Sequence, residues 1–172
     1  MPRIPRAIID EMIAHSREDL PNEAGGMVHA KDGVPIAVHR VKNVALQHAD
    51  GTASGSPWRY AMDSRELLRL DRLRDPAGET LFAIYHSHVA SKAVPSNTDV
   101  RMALAEPMKD QEPRTYMPWY PETFYILVSL GRKENDVVIP EEPPVVRAWR
   151  IGGAGSIEEA IERMQEEPIE VA

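Results

Sequence analysis

Leu81-Phe82-Ala83-Ile84-Tyr85-His86-Ser87-His88-Val89, followed by Pro95-Ser96-Asn97-Thr98-Asp99, decides how this chain folds and what chemistry it can carry. Leu81 to Tyr85 is continuously apolar, the pattern of a central strand covered on both faces. The two histidines come at the C-terminal end of that strand, where α/β sheets tend to place ligands. Imidazoles one residue apart on an extended strand share a face, because side chains alternate with period two. The loop that follows can return Asp99 to the same point. Two neutral nitrogens and one carboxylate oxygen form a set that suits Zn²⁺ and leaves its fourth position for water, which is a catalytic rather than a structural arrangement.

Ser96 and Asp99 also read as a helix N-terminus, with Ser96 capping the third helical amide and Asp99 at the positive end of the dipole. Capping accounts for these two residues but not for two histidines directly after a buried strand. The two roles are compatible, since a helix start can hold an acidic ligand rigidly.

Outward from this stretch the chain has an α/β order. Pro5 to about Asp19 reads as a helix with Ile8, Ile9, Met12 and Ile13 on one face and Pro5 in the first turn. Gly26 to about Ala30 and Val34 to about Val44 read as strands joined by the hairpin signal Lys31-Asp32-Gly33. Gln47 to Pro57 is rich in Ala, Ser, Gly and Asp and reads as a mobile loop. A short strand is expected from Trp58 to Met62. Asp63-Ser64-Arg65-Glu66 then opens a helix carrying Leu67, Leu68, Leu70 and Leu73, ended by Pro76 and Gly78. A short helix is expected from about Ser96 to Ala105, then an irregular Pro-rich stretch from Glu106 to Glu122, too long for a simple connector. Phe124 to Leu130 and Val145 to Ile151 read as further buried strands. A last helix runs from Ser156 to about Gln165, with Ile157, Ala160, Ile161 and Met164 on one face.

The pattern His-Ser-His-x(7)-Ser-x(2)-Asp, read from His86 to Asp99, resembles the signature of the JAMM (MPN+, JAB-domain) zinc metalloproteases at every fixed position. The resemblance covers roughly residues 5 to 151 and implies a mixed β-sheet flanked by helices, similar to the cytidine deaminases in architecture. It also implies an upstream glutamate on the strand after the first helix. Here the candidate is Glu23, in Pro21-Asn22-Glu23-Ala24-Gly25-Gly26-Met27-Val28, although Gly25 stands where a Cys is common and Ala30 where a Gly often closes the strand. Without the downstream motif, Glu23 would read as a solvated carboxylate at a helix–strand turn.

Composition agrees with one compact domain over 1–172, with a core of about 5–151 and the C-terminal helix at about 156–165. The 172 residues suffice for one hydrophobic core and are short for two. With 42% hydrophobic and 27% charged residues the chain is ordinary for a soluble protein. A formal net charge of −7 argues against nucleic acid as the main partner, because no basic stripe exists to release counterions. The N-terminus carries no apolar signal core and no apolar run approaches membrane-spanning length, so a cytoplasmic protein without a membrane partner is expected. The chain contains no cysteine. That excludes disulfide frameworks, thiol proteases and Cys-ligated zinc, the nucleobase deaminases among them. It lacks His-Glu-x-x-His as well.

The resemblance further implies that Glu23 is the general base for water, that Ser96 supports the oxyanion, and that the bond cleaved is a peptide or isopeptide. Its members mostly act after the C-terminal Gly-Gly of ubiquitin-like proteins, and the stand-alone prokaryotic ones, which this chain looks like, resemble hydrolases of sulfur-carrier or ubiquitin-like proteins. A non-catalytic MPN scaffold is the alternative, although such modules lose ligands that this chain keeps. The other histidines, His15, His29, His39 and His48, lack ligand spacing and are expected to be satisfied or exposed. Trp58, Trp119 and Trp149 are expected to be packing residues, with Trp119 also placed to serve a substrate. The oligomeric state is not legible.

Overall fold

The computed structural model describes residues 1–45 and 55–172. In chain order the elements are β1 (Arg3–Ile4), α1 (Arg6–Glu18), β2 (Gly25–Lys31), β3 (Val34–Val41), α2 (Ser64–Ala77), β4 (Thr80–His88) and α3 (Asn97–Ala103). They continue with β5 (Leu104–Ala105), β6 (Met117–Pro118), β7 (Phe124–Glu134), β8 (Val137–Arg150), α4 (Ile157–Arg163), β9 (Gln165–Glu167) and β10 (Glu170–Val171). Six strands form one mixed sheet in the order β3-β2-β4-β7-β8-β9. Only the β4–β7 pair within it is parallel. The apolar strand β4 is central, as its sequence demands.

Helices cover both faces of the sheet. Ile8, Ile9 and Met12 of α1 pack with Val28, Ala83, Tyr85, Ile126 and Val128 on one face. On the other, Leu70 of α2, Val100 of α3 and Ala160 of α4 share a core with Met27, Ile84, Leu127 and Trp149. Ile84 therefore faces α2 and α3, and period two puts His86 and His88 on that same side. The expected α/β class and flanked mixed sheet are what the chain forms. Among the described residues no helix is long and apolar enough to cross a membrane.

Local signals explain most boundaries. The β2–β3 turn is Asp32-Gly33, both at positive φ (51° and 77°), between the paired residues Lys31 and Val34. Such a two-residue turn matches the twist of its flanking strands. Asp63 caps α2 by accepting from the Arg65 and Glu66 amides, and Gly78 ends it at φ 67°. Pro76 does not end α2, because it lies inside the last turn.

Two further expectations are corrected. Trp58 to Met62 is not a strand: only Met62 makes a bridge, to Asn43. The Asn43 amide replaces a ladder there. Its nitrogen donates to the Glu23 and Arg59 carbonyls at 2.8 and 2.9 Å, and its oxygen accepts from the Ala45 and Ala61 amides. In α2 only Leu70 is buried, while Leu68 and Leu73 are half exposed. β7 and β8 run far beyond the apolar segments that marked them, into a hairpin closed by Asn135-Asp136 at φ 47° and 63°. Its arms are mostly exposed or half-buried and rich in charged residues and proline, so the apolar pattern stops short of them. The expected loop from Gln47 lies outside the described residues as far as residue 54.

Candidate active site

The site stands where β4 ends. His86 and His88 close that strand, Ser96 caps α3, and Asp99 is the third residue of α3. Glu23 lies just before β2, whose Gly25 pairs with His86. His86, His88 and Asp99 come together with one ligand atom each inside 4.8 Å of one another. His86 Nε2 is 3.3 Å from Asp99 Oδ1, and His88 Nε2 is 3.6 Å from Asp99 Oδ2.

Each ring is oriented by a different device. His88 Nδ1 lies 2.7 Å from the Lys92 carbonyl. A carbonyl only accepts, so Nδ1 carries the proton, and Nε2 of the neutral ring presents a lone pair toward Asp99. His86 is stacked on Tyr60, with centroids 5.8 Å apart and planes 4° from parallel. That stacking needs Gly25, since a Cβ there would sit 2.3 Å from the Tyr60 ring. Any side chain at position 25 would also meet the Tyr85 carbonyl oxygen, at 2.7 Å, so glycine fits here for a reason of space.

Asp99 caps α3 and stands beside both histidines. Its Oδ2 accepts from the Ser96 amide at 2.6 Å, and its own amide donates to Ser96 Oγ at 3.2 Å, a reciprocal capping box. Its carboxylate meanwhile faces both imidazoles. Burial works against the charged form of Asp99, but the imidazoles and Ser96 outweigh it and hold the carboxyl well below its ordinary range. Burial also opposes the charged form of His88, yet Asp99 and the Lys92 carbonyl raise it on balance.

Glu23 is 6% exposed, so it is not the solvated carboxylate that the isolated sequence suggests. Burial raises it to about 7, with His88 pulling it down and Asp99 pushing it up. Its backbone is fixed on both sides: its amide donates to the Ser56 carbonyl and its carbonyl accepts from Asn43. Next to it, Ser87 ties Ala24 down twice. The Ser87 amide donates to the Ala24 carbonyl, and Ser87 Oγ accepts from the Ala24 amide, each at 2.8 Å. Ser87 and Asn43 were not singled out from the sequence, and the fixed Ser between the two histidines was the one signal available.

In the metal-free protein, the buried Glu23 carboxyl makes stability depend on pH. Its folded value of about 7 lies above its ordinary 4.5. Between those values the folded state keeps a proton that the unfolded chain has lost, so stability falls as pH rises through that window. For Glu23 alone the loss is ~3 kcal/mol. Glu23→Gln abolishes it. Urea unfolding of metal-free wild type and variant should show the variant gaining relative stability from pH 5 to pH 8; identical pH dependence would mean that Glu23 never bears a buried charge.

The remaining histidines divide. His15 is satisfied by the Tyr85 hydroxyl at 2.7 Å and Asp19 at 3.4 Å. His29 and His39 depart from expectation: each keeps a buried Nε2 without a hydrogen-bond partner. His48 lies outside the described residues. Trp149 packs as expected, its indole donating to the Ala93 carbonyl. Trp58 and Trp119, by contrast, are 75% and 64% exposed. Trp119 lies in the irregular stretch and lines a cavity of about 410 Å³ with Tyr60, Met62, Met102, His86 and Asp99.

Comparison with known proteins agrees with this architecture. The family of prokaryotic homologs of the JAB domain matches residues 5–152. The CysO-cysteine peptidases of Mycobacterium tuberculosis and Mycobacterium bovis are 32% identical over 122 residues, 71% of this chain and 68% of theirs. A solution structure of a Desulfitobacterium hafniense protein covers 100% of this chain and 93% of its own, at 26% identity and TM-score 0.66. A Salinibacter ruber protein, 20% identical with TM-score 0.54 over 100% and 92%, shares the fold. With the matched residues carrying five of the six strands of that sheet, the chain belongs to the prokaryotic JAB-domain family.

Proposed function

We propose that this chain is a zinc-dependent peptidase or isopeptidase, cleaving the amide bond after the C-terminal Gly-Gly of a ubiquitin-like or sulfur-carrier protein. The observation that carries the reading is the meeting of His86, His88 and Asp99 beside a buried, proton-holding Glu23. The kinship with enzymes named for a peptidase reaction supports it. Residues 1–172 are taken as one catalytic domain, α4 sharing the core of α3.

The donor set fits zinc. His86 Nε2 is buried and makes no hydrogen bond, His88 Nε2 is left as a lone pair, and Asp99 supplies one anionic oxygen. Zinc bound by these three residues would polarise the scissile carbonyl and acidify a water. Glu23 takes the proton of the attacking water, because its raised value puts it near neutrality as a base. It then delivers that proton to the leaving amine, so that water and amide become acid and amine. Ser96 Oγ already accepts from the Asp99 amide, which leaves its single hydrogen free to donate to the carbonyl oxygen as negative charge develops there.

The cavity beside His86 and Asp99 is lined mainly by apolar and aromatic side chains. A tail without side chains brings its backbone closest to the ligands, which suits a diglycine end. The test is mass spectrometry of a ubiquitin-fold protein extended past its Gly-Gly, incubated with zinc-loaded enzyme. Cleavage after the second glycine, stopped by chelator and restored by zinc, is expected. If such fusions stay intact while an unfolded peptide is cut readily, the ubiquitin-like substrate class is wrong.

A further inference from the structure

A second group of ligating side chains lies away from the candidate active site. His29 sits near the end of β2, His39 on β3, and Glu79 in the turn between α2 and β4. Met27 pairs with His39, so His29, two residues on, is the diagonal neighbour of His39 on the same face. The ladder is irregular on both sides of this position, with register shifts at Val28/His29 toward β4 and at His29/Ala30 toward β3. Bulges of this kind re-aim a side chain. His29 is four residues along β2 from Gly25, the partner of His86, or roughly 13 Å.

The three side chains offer one ligand atom each, all within 4.8 Å of one another. His29 Nδ1 is 3.0 Å from Glu79 Oε2, and the His29 and His39 ring centroids are 4.2 Å apart. As a purely structural cluster this is poorly satisfied. A carboxylate only accepts, so His29 Nδ1 donates to Glu79, and Nε2 of the neutral ring is a lone pair buried with no donor. His29 is 1% exposed, and His39 Nε2 is buried and unpartnered beside it. Unpaired buried nitrogens of this sort cost free energy unless something binds them. A cation in place of the proton on His29 Nδ1 would be shared by His29, Glu79 and His39.

We propose that His29, His39 and Glu79 form a second binding site for a divalent ion of the zinc type. Two imidazoles and one carboxylate are a donor set of borderline character, matched to zinc and its first-row neighbours rather than to calcium or magnesium. The ion would tie the β2–β3 hairpin to the turn that launches β4, and so hold the strand that carries His86 and His88. Its role is structural, and it stands whether or not the chain is a peptidase.

Elemental analysis of full-length protein after zinc loading tests the site. Wild type should hold two zinc ions per chain, and one should remain in each of the His86→Ala/His88→Ala and His39→Asn/Glu79→Gln variants. All four changes together should leave none. Retention of the wild-type amount by the His39→Asn/Glu79→Gln chain overturns the proposal, as does loss of all zinc from the His86→Ala/His88→Ala chain. If a variant does not fold, stepwise zinc loading of wild type followed by ring-nitrogen NMR gives the decision. The second equivalent should shift His29 and His39; unshifted rings at saturation overturn the site.

Discussion

Glu23→Gln should keep the zinc of the His86/His88/Asp99 site yet lose roughly 10²–10⁴-fold in hydrolysis rate, the range typical of a missing general base. The amide has nearly the shape of the carboxyl and can occupy the same buried place, held by Ser56 and Asn43 through its backbone. It cannot accept the proton of water. Because Glu23 is not among the three ligand residues, metal content and rate should separate cleanly in this variant. Metal analysis alongside single-turnover cleavage reads both. A Glu23→Gln enzyme with near-normal turnover would assign the base to another residue, and loss of zinc would make Glu23 a ligand instead.

How the site was legible follows from where its parts lie in sequence. His86, His88, Ser96 and Asp99 fall within fourteen residues, and period two together with helix-capping rules suffices to converge them. Glu23 is brought in by the pairing of β2 with β4, a contact over some sixty positions that local pattern cannot encode. It was found only because the family resemblance pointed to it. Asn43 and Tyr60 are nearer in sequence to Glu23 and His86, but their contacts are made by side chains outside the main sheet, which local pattern does not encode either. The pairing of His29 with His39 and Glu79 was missed for a related reason. Spacing along the chain does not show it, because a hairpin and a bulge set the true separation.

The fold shows the same division. The strands β2, β4 and β7 are readable because their burial is nearly continuous, and the helix α1 because its buried face is periodic. The outer hairpin of β7 and β8, the short pairs β1–β10 and β5–β6, and β9 have exposed or very short strands, so the hydrophobic signal that marks a strand is absent from them. Leu68 and Leu73 are apolar yet half exposed. They fit an apolar pattern, but α2 turns only its Leu70 side fully into the core.

Asp99 is the residue at which two readings of the sequence meet, and Asp99→Asn separates them. The asparagine oxygen can still accept from the Ser96 amide, so the α3 cap should persist and the fold should lose at most a few tenths to about 1 kcal/mol. The anionic donor is gone, however, leaving two neutral nitrogens to hold a dication. His88→Ala removes a ligand by the other route, and with it the ring that the Lys92 carbonyl fixes in the ligating tautomer. Removing an outer partner of a metal ligand typically costs 10–100-fold in affinity, and removing a ligand itself should cost more. Both variants should therefore lose one equivalent of zinc in competition with a chelator. Turnover should fall at least as far as in Glu23→Gln, because carbonyl polarisation and the acidified water vanish together. Thermal melts of the metal-free chains should meanwhile find Asp99→Asn folded. An Asp99→Asn protein that binds zinc and turns over like wild type would reduce Asp99 to a helix cap, and the ligand set would need a different third member.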